Sequence, residues 1–280
     1  MTTTTSRLLP RPRSLAPEFD ASIPRHWFGG LALPTHLVNG VNLLFPAGER
    51  FFIRSVRHYL DQVDDPVLHE QARGFFGQEG RHAQAHESFF QVLTAQGYKV
   101  DDFLRIYERI AYAGIERLAP PALRLAVTAA CEHFTAILAE GALRERILDA
   151  AHPTLRSLLL WHAAEEIEHK AVAYDVLQRV APSYALRVAG LLVAAACLSG
   201  FWIAATTLLL RQDRAMGTQQ LGQEAKVMRS RRGLLTRVFG HGIRQYLRRD
   251  FHPNQNCDQD LAAEYLASVG AAPAQQAAAS

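Results

Sequence analysis

The sequence predicts an all-α protein, and three observations lead to that prediction. Apolar residues recur at helical spacing along most of the chain, and no segment between turn residues alternates with the period of a strand. Prolines and glycines stand where helices should begin and end. Two of the predicted helices carry glutamate and histidine three residues apart on otherwise apolar stripes.

Five helices follow from this pattern. The first runs from about Pro46 to Val63, and the second runs from Pro66 to Gln96, where Gly97 supplies a left-handed stop. The other three are expected at residues 101–118, 121–149 and 153–182, and each is bounded by proline.

Length and composition favour one sizeable folded core. The chain has 280 residues, of which 49% are hydrophobic and 20% are charged, so its bulk is not disordered. Its three cysteines, Cys131, Cys197 and Cys257, lack C-x-x-C spacing, which excludes zinc fingers and disulfide scaffolds. We expect a cytoplasmic protein.

Composition divides the chain into four parts. Residues 1–25 are predicted to be a disordered tail, since the first 21 are rich in threonine, arginine and proline. Residues 26–182 hold the helical bundle, and residues 183–211 form an apolar helix or hairpin. Residues 212–280 form a basic arm and tail.

The apolar segment and the basic arm suggest a membrane surface as one partner. Residues 188–210 contain no charge and are long enough to cross a bilayer. Two interpretations fit them equally well: a peripheral or re-entrant membrane contact, and a buried helix or a buried hairpin bent at Ser199–Gly200. The arm is interpreted either as a solvated face or as a site for anionic lipid headgroups. It has few aromatic residues, so no nucleic-acid partner is expected.

Six residues that can bind metal lie in two groups of three, one group on each of two predicted helices. Glu79, His82 and His86 lie on one stripe of the second helix, between apolar residues on either side. The fifth helix repeats this arrangement, with the residues His162, Glu166 and His169.

Glu49 and Glu132 occupy apolar stripes of the first and fourth helices. A buried carboxylate is costly unless it is paired or binds a metal. Two Glu-x-x-His pairs and one glutamate from each of two other helices form the ligand set of ferritin-like dinuclear proteins. The sequence therefore predicts a ferritin-like four-helix bundle with a dinuclear metal site, followed by apolar and basic C-terminal helices.

The chain also resembles the predicted metal-dependent hydrolase family of bacterial ferritin-like proteins. The matching strings are GERFF (48–52), QEGRHAQAH (78–86), CEHFTA (131–136), WHAAEEIEHKAVAYDV (161–176) and DFHP (250–253). The spacing of His162, Glu166 and His169 is more remotely similar to the p-aminobenzoate N-oxygenase group of di-iron enzymes.

The resemblance implies a set of seven metal ligands: Glu49, Glu79, His82, Glu132, His162, Glu166 and His169. Carboxylates and imidazoles without a thiolate favour two iron ions, manganese also fits, and zinc fits less well. Two further residues are candidate catalytic groups. His86 is interpreted as a proton relay, an eighth ligand or a core histidine, and Glu165 as a surface residue or a partner of a ligand.

The predicted function is an O2-activating di-iron oxidoreductase for a hydrophobic or small organic substrate. It would need a redox partner, and a homodimer is also expected. Hydrolysis by a metal-bound water is the alternative reaction. A metal-binding or purely structural membrane-associated bundle without catalysis is the third interpretation.

Overall fold

The computed structural model describes residues 8–15, 17–213, 217–230, 240–271 and 275–276, and it confirms the all-α prediction. Among these residues, the strands are limited to β1 (Leu8–Leu9) and β2 (Gln275–Gln276), which pair antiparallel. The labelled helices are α1 (Ala32–Asn42), α2 (Phe45–Arg57), α3 (Pro66–Ala95), α4 (Asp101–Ile110), α5 (Pro121–Arg144), α6 (Pro153–His169), α7 (Val172–Val180), α8 (Tyr184–Gln212), α9 (Thr218–Ser230) and α10 (Gln259–Ser268). Shorter helical pieces lie at Leu60–Gln62, Ala111–Glu116, Pro253–Gln255 and 240–246.

Helix α3 forms where the sequence predicts it. The carboxylate of Asp65 accepts hydrogen bonds from the backbone of Val67 and Leu68 at 3.0 and 3.2 Å and so caps the first turn. Gly97, with φ of +88°, ends the helix in the left-handed conformation. Its 30 residues give the second predicted helix almost unchanged.

Two other predicted helices end early, and a third contains a π-helix. The first stops at Arg57. The third keeps its predicted bounds, 101–118, but Ala111–Glu116 within it form a π-helix. The fourth stops at Arg144, just before Arg146 turns the chain with φ of +52°.

The predicted fifth helix is two helices, α6 and α7, which are separated at Lys170 and Ala171. Lys170 is buried at the break, where its ammonium group donates to the carboxylate of Asp258 and to the carbonyl of Asn256. A contact with the distant C-terminal part of the chain therefore accompanies this break.

Two apolar clusters lie above and below one polar layer. In α3, Phe75 belongs to one cluster and Phe89 to the other, and the predicted ligands of this helix lie between them. In α6, Leu158 belongs to the second cluster, and Val172 of α7 belongs to the first. The polar layer is thus closed off by packed side chains on both sides.

Helix α8 is continuous and packs against α1 and α5, so the predicted hairpin bend at Ser199–Gly200 is wrong. It and α5 are long and apolar enough to cross a membrane, which is weak evidence by itself. Only 22% of the most apolar 18-residue stretch of α8 is buried, and the side chains of Leu192 and Ile203 are 65% and 67% exposed. One face of α8 is therefore buried, as the buried-helix interpretation predicts, and the other face is exposed.

A glycine allows α8 to approach α5 closely. A methyl group at Gly190 would lie 2.5 Å from the backbone of Ala126, whereas one at Gly200 would meet nothing within 4 Å. We expect Gly190→Ala to lower the free energy of unfolding by about 1–3 kcal/mol through overpacking. Gly200→Ala, the matched control, should raise it by about 0.5–1 kcal/mol. Urea denaturation measures both, and equal effects would contradict this packing.

The segment predicted as an N-terminal tail contains defined structure. Leu8 and Leu9 form β1, Arg13 pairs with α6, and Ile23 is 3% exposed in the core. Periodicity did not reveal these contacts because the segment is extended and meets distant residues. Residues 1–7 lie outside the described residues, as do residues 214–216 and 231–239 of the predicted basic arm. The four-part division of the chain stays a prediction.

Candidate metal centre

Four helices bring the seven predicted ligands together in the polar layer. None of the seven is more than 4% exposed. They come from α2 (Glu49), α3 (Glu79 and His82), α5 (Glu132) and α6 (His162, Glu166 and His169). The spacing of three or four residues turns the side chains on one helix to the same face.

His169 marks one end of the centre. Its Nε2 atom lies 3.0 Å from Glu79 Oε1, 3.3 Å from Glu132 Oε2 and 3.6 Å from Glu166 Oε1. Its Nδ1 atom lies 2.9 Å from Oε1 of Gln78, so that an Nδ1–H donor would leave Nε2 directed at the three carboxylates.

His162 marks the other end. Its Nε2 atom lies 2.8 Å from Glu166 Oε1 and 3.7 Å from Glu49 Oε1. His82 Nδ1 lies 3.8 Å from the same Glu166 oxygen. Glu166 therefore lies between the His162 end and the His169 end of the centre, where a carboxylate can bridge two ions.

His86 adjoins the centre on the side of His162. Its Nε2 atom lies 2.6 Å from His162 Nδ1, and its Nδ1 atom contacts the Asn42 side chain. The ring of Phe45 packs on both histidines, with centroids 4.8 and 4.7 Å away. Ligand atoms of Glu49, His86 and His162 also lie within 4.8 Å of one another. The relay and eighth-ligand interpretations of His86 both remain predictions.

The carboxylates are the strongest indication that this layer is a cation site. Neither oxygen of Glu49, Glu79 or Glu132 accepts a well-aligned hydrogen bond from the described part of the chain. Buried oxygens without partners cost free energy, and a bound cation would remove that cost.

Electrostatics agree with this interpretation. Burial, together with neighbouring carboxylates, raises the pKa of Glu49 and Glu79 well above the ordinary value. Burial and Glu166 raise the pKa of Glu132 to about 7. Burial would also raise the pKa of Glu166, but His169 and His162 hold this pKa well below its usual range. Without metal, protons must therefore replace cations at several carboxylates.

The histidines complete a donor set that fits metal ions. Burial and the neighbouring His162 lower the pKa of His82 and His86 well below the ordinary value, so both are neutral and can use a nitrogen lone pair. Glu79, Glu166 and His169 form one group whose ligand atoms lie within 4.8 Å of one another, and His82, His162 and Glu166 form another. The two groups share Glu166, and this arrangement fits two ions.

Glu165 is not a surface residue, contrary to one prediction. It is fully buried, and its Oε2 atom lies 3.0 Å from His82 Nε2. Its other oxygen accepts a hydrogen bond of 2.9 Å from Arg13, which also donates to Glu168 at 2.8 Å. The prediction of a partner for a ligating histidine fits this position.

Sequence reasoning missed Arg13 and Gln78. Gln78 precedes Glu79 and lies four residues before His82, so the helical stripe contained a signal for it. Arg13 had none, because it lies in an extended segment more than 150 residues from the glutamates that it contacts.

Removal of Arg13 should destabilise the protein strongly. Its side chain is 10% exposed, and Arg13→Gln would remove the guanidinium that pairs with the buried carboxylates of Glu165 and Glu168. We expect the free energy of unfolding to fall by about 3–5 kcal/mol. Chemical denaturation measures this, with Arg11→Gln as an exposed control that should change by less than about 0.5 kcal/mol. Equal stability of the two variants would show that the pair contributes little.

A largely apolar cavity of about 470 Å³ adjoins the centre. Phe45 and Gly48 from the start of α2, and Cys131 and Thr135 from α5, line its inner end. The hydroxyl of Thr135 donates to the carboxylate of Glu166. A ligand in this cavity would therefore meet the proposed metal site without crossing bulk water.

A second histidine cluster lies apart from the centre. His26 and His36 contact Oδ2 of Asp213 at 2.5 and 2.8 Å. Arg25 lies 3.4 Å from the other oxygen and balances the charge. Because this carboxylate has both a cation and hydrogen-bond partners, the cluster is explained as an anchor for the end of α8.

Residues 11–256 match the family described as predicted metal-dependent hydrolase. The chain belongs to this family. No curated protein and no solved structure matches significantly. Family membership confirms the predicted resemblance and, with the His/Glu groups, supports a metal-dependent enzyme.

The metal-dependent hydrolase family gives no support to two finer expectations. It does not show a relationship to ferritin-like proteins or to p-aminobenzoate N-oxygenases, and it does not identify the metal. Its description favours hydrolysis over the predicted oxidation.

Proposed function

We propose that the chain is a dinuclear metal enzyme that holds two iron ions and uses O2 to oxidise a hydrophobic organic substrate. One observation carries the proposal. Four helices supply two Glu-x-x-His pairs and two further glutamates to one buried layer, and this is the donor set of dinuclear carboxylate proteins in ferritin-like bundles.

The donor atoms favour iron over zinc. The set contains carboxylate oxygens and imidazole nitrogens, whereas Cys131, which is next to Glu132, lines the apolar cavity. Burial raises the pKa of this thiol above its ordinary value, so it is a poor ligand. Iron and manganese accept such mixed oxygen and nitrogen sites.

The residues of the chain would have distinct roles. Glu166 would be shared between the two ions. Gln78 would orient His169 through the Nδ1 atom of that histidine, and Glu165 would orient His82 through its Nε2 atom. His86 would move a proton through its contact with His162. When bound, reduced iron supplies the electrons for O2 activation, and an external redox partner must restore them.

Hydrolysis is the second candidate, because the family description favours it. In that reaction a bound metal would lower the pKa of a water that attacks an ester or phosphate. Seven protein ligands leave little room for water on both ions, and the adjoining cavity has a mostly apolar wall.

The reaction with O2 separates the two candidates. Anaerobic protein loaded with ferrous iron should consume O2 on mixing and change its optical and Mössbauer spectra. Zinc-loaded protein is the control and should not consume O2. Ester hydrolysis by zinc-loaded protein, with no O2 uptake by the ferrous form, would favour the second candidate.

Metal binding should release protons. Because the pKa values of Glu49, Glu79 and Glu132 are raised, these groups hold protons at low pH that a metal must displace. Affinity is therefore expected to rise with pH through about 7, the pKa of Glu132. Calorimetry in buffers of different ionisation enthalpy measures the released protons, and pH-independent binding would contradict the protonated carboxylates.

The remaining partners are part of the same proposal. A cytoplasmic enzyme that touches a membrane through residues 188–249 would fit the exposed apolar face of α8. The small-molecule substrate, the redox partner and a homodimer also stay proposals.

A further inference from the structure

The apolar cavity opens to the surface beside the π-helix. Ile115 and Leu118 line it and are 41% and 85% exposed, so they mark its mouth. Val193 and Phe201 of α8 form part of the opposite wall. Since the inner end reaches Thr135, the cavity connects an apolar rim with the metal centre.

Polar groups in the inner wall already have partners. The hydroxyls of Tyr107 and Tyr112 lie 2.5 Å apart, and Tyr107 also donates to the carbonyl of Leu44. Thr135 donates to Glu166. These groups have little capacity to hydrogen-bond a polar ligand, so the inner wall favours a hydrocarbon chain.

A basic cavity of about 530 Å³ lies on the other side of Tyr112. Tyr112 lines both cavities, and Arg54 pairs with Glu116 of the apolar one at 2.7 Å. The charged residues that line the basic cavity are Arg50, Arg54, Arg105, Glu108 and Arg109.

The charges of the two cavities favour an anionic ligand. Together they are lined by five arginines, Arg124 included, and by the two glutamates Glu108 and Glu116. Carboxylates pair with three of the arginines: Glu87 with Arg50, Glu116 with Arg54 and Asp102 with Arg105. The pairs of Arg50 and Arg105 are exposed, so they are weak and can exchange for a ligand, whereas Glu116 is only 13% exposed and accepts two hydrogen bonds from Arg54. Arg109 forms no ion pair with a described residue. Arginine binds carboxylates through two parallel hydrogen bonds.

We propose that the substrate of this site is a long-chain carboxylate. This inference rests on the proposed function for its catalytic meaning, but the binding itself requires only the two cavities. The alkyl chain lies in the apolar cavity with its far end at the metal centre, and the carboxylate binds at the arginines of the basic cavity on the other side of Tyr112. This orientation presents a chain carbon to the centre, which suits oxidation of the chain better than hydrolysis of a head group.

Binding of saturated carboxylates to the full chain tests the inference. Isothermal titration calorimetry with decanoate, dodecanoate and tetradecanoate, below their micelle concentrations, should give one saturable site. Affinity should rise about fourfold per added methylene. The titration is run on metal-loaded and on chelated protein, and we expect binding to both. No saturable binding to either form would overturn the inference.

Two substitutions on α8 test the place of the chain. Cys197 lines the cavity, and Cys197→Trp should weaken dodecanoate binding at least about tenfold by filling it. Ala196→Trp is the matched control on the exposed side of the same helix and should leave affinity unchanged. Equal affinity in both variants, with helicity retained by circular dichroism, would overturn the assignment.

One exposed arginine tests the head group without disturbing the core. Arg109→Gln should weaken dodecanoate binding several-fold and leave dodecanol binding unchanged. Equal effects on the acid and the alcohol would contradict the proposed carboxylate site. Because binding is also measured on chelated protein, failure of this inference is distinguishable from failure of the O2 reaction.

Discussion

Replacement of Glu166 by glutamine is expected to abolish binding of at least one metal ion. Glu166 Oε1 lies 2.8 Å from His162 Nε2 and 3.6 Å from His169 Nε2, between the two ends of the centre. Its carboxylate is the group that both histidines keep ionised. Glu166→Gln removes that charge at nearly constant volume. Loss of a residue that only hydrogen-bonds to a metal ligand lowers metal affinity by roughly 10–100-fold, and loss of the Glu166 carboxylate should lower it by more.

The measurement is metal content after dialysis against a fixed concentration of ferrous iron. Glu87→Gln is the control, because Glu87 is a glutamate of α3 with a side chain 52% exposed and paired with Arg50 at the surface. We expect this control to retain the wild-type content. Full retention by Glu166→Gln would remove Glu166 from the ligand set.

The second large effect is a gain of stability without metal. Burial and Glu132 raise the pKa of Glu79 well above its ordinary value, so its ionised form is unfavourable in the fold. Glu79→Gln removes the ionisable group. We expect the metal-free variant to exceed the metal-free wild type by about 1–3 kcal/mol in free energy of unfolding at pH 8.

The pH dependence distinguishes this cause from better packing. A raised folded pKa means that wild-type stability is fully present below the unfolded pKa of about 4.3 and is lost as pH rises toward the folded value. The two proteins should therefore be similarly stable near pH 4 and diverge as pH increases. Denaturation of both after chelation, at several pH values, gives the curves, and a constant difference would contradict a titrating carboxylate. With metal bound, the order should reverse.

Helix positions were predictable where local chemistry sets them. Asp65, Pro66 and Gly97 are adjacent in sequence to the ends that they define, so the bounds of α3 followed from the chain itself. The ligand stripes were predictable for the same reason, because residues three and four apart share a face whatever the rest of the molecule does.

Features that depend on distant contacts were not predictable. The break after α6 accompanies the pairing of Lys170 with Asp258, and Arg13 reaches Glu165 from the other end of the chain. The π-helix at Ala111–Glu116 carries no periodic signal of its own, yet its residues line both cavities. π-helices often occur at functional sites, which agrees with its place here.

Metal stoichiometry tests the central claim most directly. Protein purified without chelator, then loaded anaerobically with ferrous iron and desalted, should contain about two iron ions per chain by elemental analysis. The buried oxygens of Glu49, Glu79 and Glu132 accept no well-aligned hydrogen bond from the described residues, and bound cations would remove the cost of burying them. A chain that binds no metal under these conditions would contradict the account.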